Sequence, residues 1–499
     1  ENQGYSNLGR ASSMNFTNSY NLAGNLTKVM GSHTMKMGID WRRTHFMIQN
    51  TGNILFFRGQ TRWTQRLWNQ AEPNAGDAYA SFLLGGVEGS SNYPLFPFFR
   101  QWYCAPYFQD DWKVSRRLTL NLGFRWDLNM YPDEKYDRIN RDLDPTMASP
   151  IARQIPADML ALYPNLANLS GGLQFAGVGG NPSKVGNLDR NNFQPRVGAA
   201  FQLNNSTVLR GGYGLYYTNF ANNNDWNRTT GFSTNTPLVN CLDDNRTFVP
   251  NLLGNPYGQI NTPVGSSLGA LTFVGQDFTW FNPNMTFRGS TNLLQREITP
   301  GSVLDVSYVG SRSVGLSNQR EFNIPSSQFI RQCDPLAGGN PSFCQQLLPN
   351  PFKGIDAFRG TGLFSADRIS RYQLNRPFPQ FTGNLLEQGR GDSRIWYNSM
   401  QVNYEVRMRS GITLLANYTL SKMVEEWGYT DPINDVMQRG LYFSDRPHFF
   451  KFSTVYDLPV GRGKRFGVNS SNLLNKFIGC WQFSTFAQYA SAEPNNIPA

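Results

Sequence analysis

What most constrains this chain is the way its connections alternate. Segments with period-two hydrophobicity come in pairs, most of them joined within the pair by a turn of a few residues. Between pairs the connections are far longer, running over about 48–99, 130–190, 221–283, 315–394 and 425–445. Compact soluble domains rarely carry even one structureless connection longer than about 15 residues. Five of them, always on the same side of the hairpins, require a fold that has a short-turn end and a long-loop end.

The pairs read clearly. Tyr20, Leu22, Gly24 and Leu26 alternate with Asn21, Ala23, Asn25 and Thr27. After a turn at Gly31-Ser32-His33, Met35, Met37, Ile39 and Trp41 alternate with Lys36, Gly38, Asp40 and Arg42. The second pair is 100–114 and a strand in which Leu118, Leu120, Leu122, Phe124 and Trp126 share one face, opposite Thr119, Asn121, Gly123, Arg125 and Asp127. The third spans 191–203 and 207–220 around Asn204-Asn205-Ser206. The fourth spans 285–298 and 302–314 around Thr299-Pro300-Gly301, with poor alternation in its first strand. In the fifth, Met400, Val402, Tyr404, Val406 and Met408 precede Arg409-Ser410-Gly411, and Leu414, Ala416, Tyr418 and Leu420 continue the apolar face. The sixth spans 446–458 and 480–490. Alternate residues of a strand point to opposite faces, so each pair is a two-faced hairpin. The expectation is an all-β, antiparallel architecture of about twelve strands.

Composition decides what those two faces meet. Mean hydropathy is −0.45, and no run approaches the ~18 apolar residues of a membrane helix. A barrel shows lipid only every second residue, so low mean hydropathy does not exclude a membrane. Aromatic residues are 14% and charged residues 16% of the chain, against about 25% charged in ordinary soluble domains. The net charge of +10 is scattered in short runs such as Arg42-Arg43, Arg116-Arg117 and Arg462-Gly463-Lys464-Arg465 beside turns. That pattern reads as solvated or lumen-lining surface and not as a nucleic-acid footprint. Strands of ~9–11 residues, short turns and long loops together predict a transmembrane outer-membrane β-barrel with periplasmic turns and extracellular loops. Trp41, Phe46, Trp126, Tyr131, Tyr216, Tyr217, Phe220, Trp396 and Tyr397 sit at the long-loop ends, where an interfacial girdle belongs. No 40–50-residue repeat supports a propeller or solenoid.

The sequence shows no catalytic constellation. His33, His45 and His448 have no metal-ligand spacing, and no CxxC exists. Gly177-Val178-Gly179-Gly180 lacks the lysine and helix of a phosphate loop, and Asn222-Asn223-Asn224-Asp225 lacks EF-hand spacing. The reading is a protein with no enzymatic activity, no metal and no cofactor. Asp40, Arg125, Asp305, Glu405 and Arg407 are expected to face the lumen, either hydrating it or lining a substrate path. Cys333 and Cys344, with ten residues between them in a Gly/Pro/Asn-rich stretch, are candidates for a loop-closing disulfide in an oxidising compartment. Cys104 and Cys480 read as packed thiols in strand-like runs; Cys241 is left unassigned.

Several segments resemble a known family. Tyr107-Phe108-Gln109-Asp110-Asp111-Trp112-Lys113-Val114 with Leu118–Trp126, Asn192-Phe193-Gln194-Pro195-Arg196-Val197-Gly198, Thr207–Gly214, Tyr308-Val309-Gly310-Ser311, Tyr418-Thr419-Leu420-Ser421-Lys422 and Tyr456–Gly463 resemble, in order, the barrel of Oar-like TonB-dependent receptors. The resemblance implies an outer-membrane location, a large barrel around a plug domain, and active uptake coupled to the inner-membrane TonB complex. It implies a nutrient cargo such as a siderophore, an oligosaccharide or a peptide, and contact with outer-membrane lipid. No plug-like region, Ton box or terminal aromatic residue is seen, and such transporters have ~22 strands. Residues 1–499 are therefore expected to be a barrel fragment, without plug and C-terminal strands. The alternative is a passive porin or structural barrel in which about twelve strands close by themselves.

Overall fold

The computed structural model describes residues 13–50, 95–217, 259–285, 288–296, 302–409 and 411–495, with short stretches at 7–8, 56–59, 64–66, 76–84, 87–93, 229–237, 241–242 and 247–248. One antiparallel sheet dominates it. Its main path contains β1 (Ser13–Met30), β2 (His33–Asn50), β3 (Phe98–Lys113), β4 (Leu118–Trp126), β5 (Phe193–Asn204) and β6 (Thr207–Tyr216). It continues through β7 (Arg288–Arg296), β8 (Ser302–Glu321), β9 (Leu385–Arg409), β10 (Ile412–Asp431), β11 (His448–Asp457) and β12 (Gln482–Ala490). Each strand bonds its chain neighbours, giving an up-and-down meander with no crossover.

The register explains the meander. β1 and β2 pair without a bulge from Met30↔His33 to Ser13↔Asn50 across a two-residue turn. Gly31 takes the left-handed conformation (φ 58°) that such a turn favours and side chains resist. Register carries the two faces across the whole sheet: Leu22↔Trp41, Phe108↔Phe124 and Leu122↔Val197 lie on one, Asp40↔Ala105, Tyr107↔Arg125 and Gly123↔Arg196 on the other. Among the described residues nothing is packed on the apolar face. Leu22 and Leu26 are 66% and 62% exposed, so the wall has no hydrophobic core of its own.

The structure departs from the sequence reading in several places. The poorly alternating strand expected at 285–298 is β7, Arg288–Arg296, bonded to β6 and β8 on its two sides. β8, expected to end at 314, runs to Glu321; β9 begins at Leu385; β10 reaches Asp431, inside the connection expected from 425. β9 has 25 residues, about 80 Å of strand at ~3.3 Å per residue. Bulges after Val314 break the strict alternation there, which is why the sequence pattern stops early. The last hairpin's connection holds a helix, Asn472–Ile478. Cys480, expected in a strand, is exposed before β12 with φ 61°. The turn Thr299-Pro300-Gly301, Phe220 and Asn222–Asp225 lie outside the described residues.

The larger departure is in the long connections, which fold. Those after β4, β6 and β8 contribute to one buried cluster that includes Ile151, Leu166, Leu173, Phe278, Trp280, Phe352, Phe358 and Phe381. Most of these are fully buried, and each such side chain contributes about 1.5–3 kcal/mol. The resulting cap contains an antiparallel pair, Asn140–Ala148 with Ser170–Phe175, and several helices of four to six residues. Polar side chains start those helices: Ser326 accepts from the Phe329 N–H, Asn340 from Ser342 and Ser370 from Gln373. Buried Asn350 donates to the carbonyls of Leu363 and Ala366 and accepts from the Phe352 N–H, so a polar side chain organises the apolar core.

The cap is tied to the sheet at two distant places. Its strand Phe278–Phe281 pairs in parallel with the start of β9, Leu385–Gln388. Phe281 also belongs to a second buried cluster with Tyr131, Ile139 and Phe99 of β3, against which Phe46 of β2 packs. β3 and β9 are six strands apart, about 29 Å along a flat sheet at ~4.8 Å spacing, yet they meet through this one cluster. The sheet therefore curls round the cap. Its end strands, β1 and β12, do not pair with one another among the described residues, so the curl is not closed.

Candidate functional site

The polar face beneath the cap concentrates the chain's hydrogen-bonding groups. At the β2–β4 end, Arg125 donates to the Tyr103 hydroxyl at 2.7 Å and to Asp127 at 2.8 Å, and lies 3.5 Å from Asp40. Arg42 holds the other side of Asp40 at 2.7 Å. Alternation places all of these on one face, where Asp40, Arg42, Tyr103 and Arg125 line a recess of about 650 Å³ together with Asn21, Gln101 and Trp102. Its two arginines are paired with Asp40 and Asp127.

A neighbouring recess of about 390 Å³ has a floor of Gly123, Gly198, Gly212 and Gly214, whose missing side chains leave the hollow. Arg196 stacks over Tyr216 at 4.6 Å on its wall. A third, of about 300 Å³, lies between β9 and β11 and is lined by Tyr397, Gln401, Thr419 and Asp445. Asp305, expected to face the lumen, is on this face opposite Asn403, and Glu405 opposite Val303 and Leu415. The side chain of Arg407 lies outside the described residues. The arrangement offers hydrogen bonds and paired charges to a polar solute.

The sequence matches the family described as "Outer membrane beta barrel domain" over residues 2–499. The chain belongs to that family. Its place is the bacterial outer membrane, and the unpacked apolar face is the face that meets lipid. No helix is long and apolar enough to cross a membrane; this outer-membrane barrel domain crosses with strands. Among curated proteins none matches the chain. Among solved structures, the ferripyoverdine receptor of the outer membrane of Pseudomonas aeruginosa is similar at 10% identity and TM-score 0.36, over 90% of this chain and 36% of that one. The ferric yersiniabactin uptake receptor from Yersinia pestis is similar at 8% and 0.38, over 97% and 48%. The alcaligin outer-membrane receptor from Bordetella pertussis is similar at 9% and 0.31, over 91% and 53%. The barrel domain spans about a third to a half of the length of these structures.

In this barrel the expected aromatic girdle divides three ways. Trp41, Trp126 and Trp396 are on the lipid face by register; Trp41 meets Trp102 edge-on at 5.7 Å, and Trp126 sits 5.8 Å from Phe193. Tyr216 and Tyr397 are on the polar face instead, lining recesses. Phe46 and Tyr131 pack into the cap's second cluster, and the Tyr131 hydroxyl donates to the Met285 carbonyl. Period-two counting gives the end of the strand at which an aromatic lies; only register gives its face.

The three histidines are far apart in role. His33 opens β2 and bonds Asp110 at 2.7 Å while stacking on Trp112. His45 accepts from Arg43 at 3.1 Å, and His448 bonds the Tyr418 hydroxyl at 2.8 Å. Among the described residues no group of three His, Cys, Asp or Glu side chains is placed to hold a metal ion. Cys333 follows the helix Ser327–Arg331 and Cys344 lies in Pro341–Gln345, with Cα atoms 5.7 Å apart and sulfurs in bonding contact.

Where the cap meets the wall, Glu134 locks the start of β3. Burial pushes its carboxyl up, but Arg138 at 2.7 Å and the N–H groups of Arg138, Phe98 and Tyr136 outweigh burial and hold it below its ordinary value. The cap itself is the element that sequence reasoning missed. Its signal was the density of aromatic and aliphatic residues within 343–381, unusual for solvated loops.

Proposed function

We propose that this chain is the wall and outer cap of a TonB-dependent transporter that takes up a nutrient across the outer membrane. The long connections face the exterior, the cap and polar recesses select cargo, and the TonB complex acts through a segment outside residues 1–499. The observation that carries this reading is the pair of free sheet edges. Among the described residues β1 is bonded only to β2, and β12 only to β11. A passive porin built from these strands would bond β1 to β12, because an open sheet edge is not tolerated in lipid. A wall completed by further strands fits the ~22-strand, plugged class and the Oar-like resemblance of the sequence. The cargo is an iron chelate, an oligosaccharide or a peptide.

Uptake in cells separates the readings. The complete gene is expressed in an outer-membrane-competent host with and without a functional TonB complex, and labelled ferric siderophores, oligosaccharides and peptides are supplied. One class is expected to accumulate only when TonB is functional. Equal accumulation in both hosts, together with steady ion conductance in planar bilayers, overturns the reading in favour of a porin.

A further inference from the structure

The lipid face ends abruptly at its cap-side rim. Above the short turns of β8 and β10 it presents Leu304, Val306 and Tyr308, and Leu414, Ala416, Tyr418 and Leu420. Then charge appears at one height. Arg312 lies ten residues beyond Ser302, and Lys422 ten beyond Ile412; Arg43 on β2 likewise lies ten beyond His33. A strand tilted by about 40° gains roughly 2.5 Å of height per residue, so ten residues span the ~25 Å apolar band of an outer-membrane barrel. These cations sit where hydrocarbon gives way to headgroups.

At β8–β10 they converge on one ring. Trp396 is opposite Arg312 on one side and Val424 on the other, and the Cζ atoms of Arg312 and Arg439 lie 5.8 Å and 5.2 Å from its ring centre. Arg394 is one step further out, 3.5 Å from Glu426. Among the described residues, Arg312 and Arg439 thus flank the tryptophan, with Lys422 and Arg394 one register step to either side and one carboxylate, Glu426, beside them. Lys422 and Arg439 are exposed and, among the described residues, neither is within salt-bridge distance of an acid. Snorkelling alone would scatter single lysines and arginines along the rim. Here two guanidiniums are held against an indole, which fixes their forks before any ligand arrives.

We propose that Arg312, Lys422 and Arg439 around Trp396 form a socket for the phosphate groups of an anionic glycolipid in the outer leaflet. Guanidinium forks match phosphate oxygens bidentately, lysine supplies a point charge, and the indole lies against the sugar or upper acyl chain. Surrounded by lipid at this height, the socket's available partner is a headgroup. The placement in the outer leaflet rests on the proposed outward orientation of the long connections.

The test is native mass spectrometry of the detergent-purified chain titrated with diphosphoryl lipid A, with enzymatically dephosphorylated lipid A as the comparison. The wild type is expected to retain the diphosphoryl form and to release the dephosphorylated one. R312Q/K422Q/R439Q is expected to lose roughly fivefold in affinity per removed charge, about a hundredfold in all. Should the triple variant fail to fold, Lys422→Gln alone, checked by far-UV circular dichroism, is expected to lose about fivefold. Equal retention by the triple variant overturns the proposal, as does equal binding of the dephosphorylated lipid. Binding of an acidic peptide at these residues with lipid A unaffected overturns it in favour of a protein partner. An epitope inserted at Leu336, which is 98% exposed in the cap, reports orientation on intact cells. An accessible epitope without lipid binding sinks the socket alone, whereas an inaccessible epitope sinks the orientation on which both readings stand.

Discussion

Asp142 shows what a single residue does when the cap folds over it. Burial pushes its carboxyl up to about 6; the Leu143 N–H at 2.8 Å and Arg141 pull the other way, and Glu387 and Asp144 add repulsion. The folded cap therefore holds this proton more tightly than the unfolded chain does. Its contribution to stability is complete below the ordinary aspartate range and is lost as pH rises through about 6. Amide exchange in Asn140–Ala148 and Leu385–Gln388, corrected for intrinsic rate, is expected to be slower at pH 5 than at pH 7.5. Asp142→Asn should flatten that dependence; an unchanged pH profile in the variant removes Asp142 as its source. At this scale the sequence showed faces but not partners. Asp40 and Arg125 were readable as lumen-facing from alternation alone, whereas their meeting at 3.5 Å needs β2, β3 and β4 in register. Tyr131 looked like a girdle residue, and nothing in its neighbours announced that it would be buried against Phe281.

Elements divide by how much of their logic is local. The strands were legible because a two-faced strand writes its burial into every second residue, and a turn such as Gly31-Ser32 joins neighbours in sequence. β7 was hard because Gly289, Ser290, Thr291 and Asn292 give it no apolar stripe; its position comes from β6 and β8. The cap was illegible for a different reason. Helices of four to six residues are too short to display a 3.6-residue period, and none is stable alone. Their local signs were N-caps such as Ser326, Asn340 and Ser370, which without periodicity read as loop residues. Cys333, just past one such helix, and Cys344, in another, have their sulfurs in bonding contact. We expect proteolysis without reductant to leave the peptides carrying these residues joined, and reductant to part them. Closing so short a loop is worth about 2–3 kcal/mol, so C333S/C344S should raise exchange in Ser327–Gln345 by more than tenfold. Separate peptides from unreduced outer-membrane protein would show that the thiols are free.

At the scale of the molecule, the wall and the cap are stabilised by different solvents. The wall turns its apolar residues outward, so lipid or detergent supplies the apolar environment and the backbone ladder supplies cohesion. The cap turns its apolar residues inward and folds as a water-soluble domain does, with Trp280 at 2% exposure where its strand meets β9. Truncating Trp280 to alanine removes a large buried ring from the seam and costs about 3–5 kcal/mol, a large share of what a cap of this size can hold. The loss should fall on the cap alone, because the wall's register runs through backbone bonds between its own strands, which truncating a side chain leaves in place. The expected signature in detergent is loss of near-UV circular dichroism and rapid proteolysis within 343–381. The far-UV strand signal should remain. Simultaneous loss of both signals would show that the cap holds the curl of the sheet, through Phe281 and the β3–β9 cluster, and does not merely rest inside it. If the strand signal survives, the cap can open without dismantling the wall, which is the freedom a transporter needs and a fixed channel lining does not.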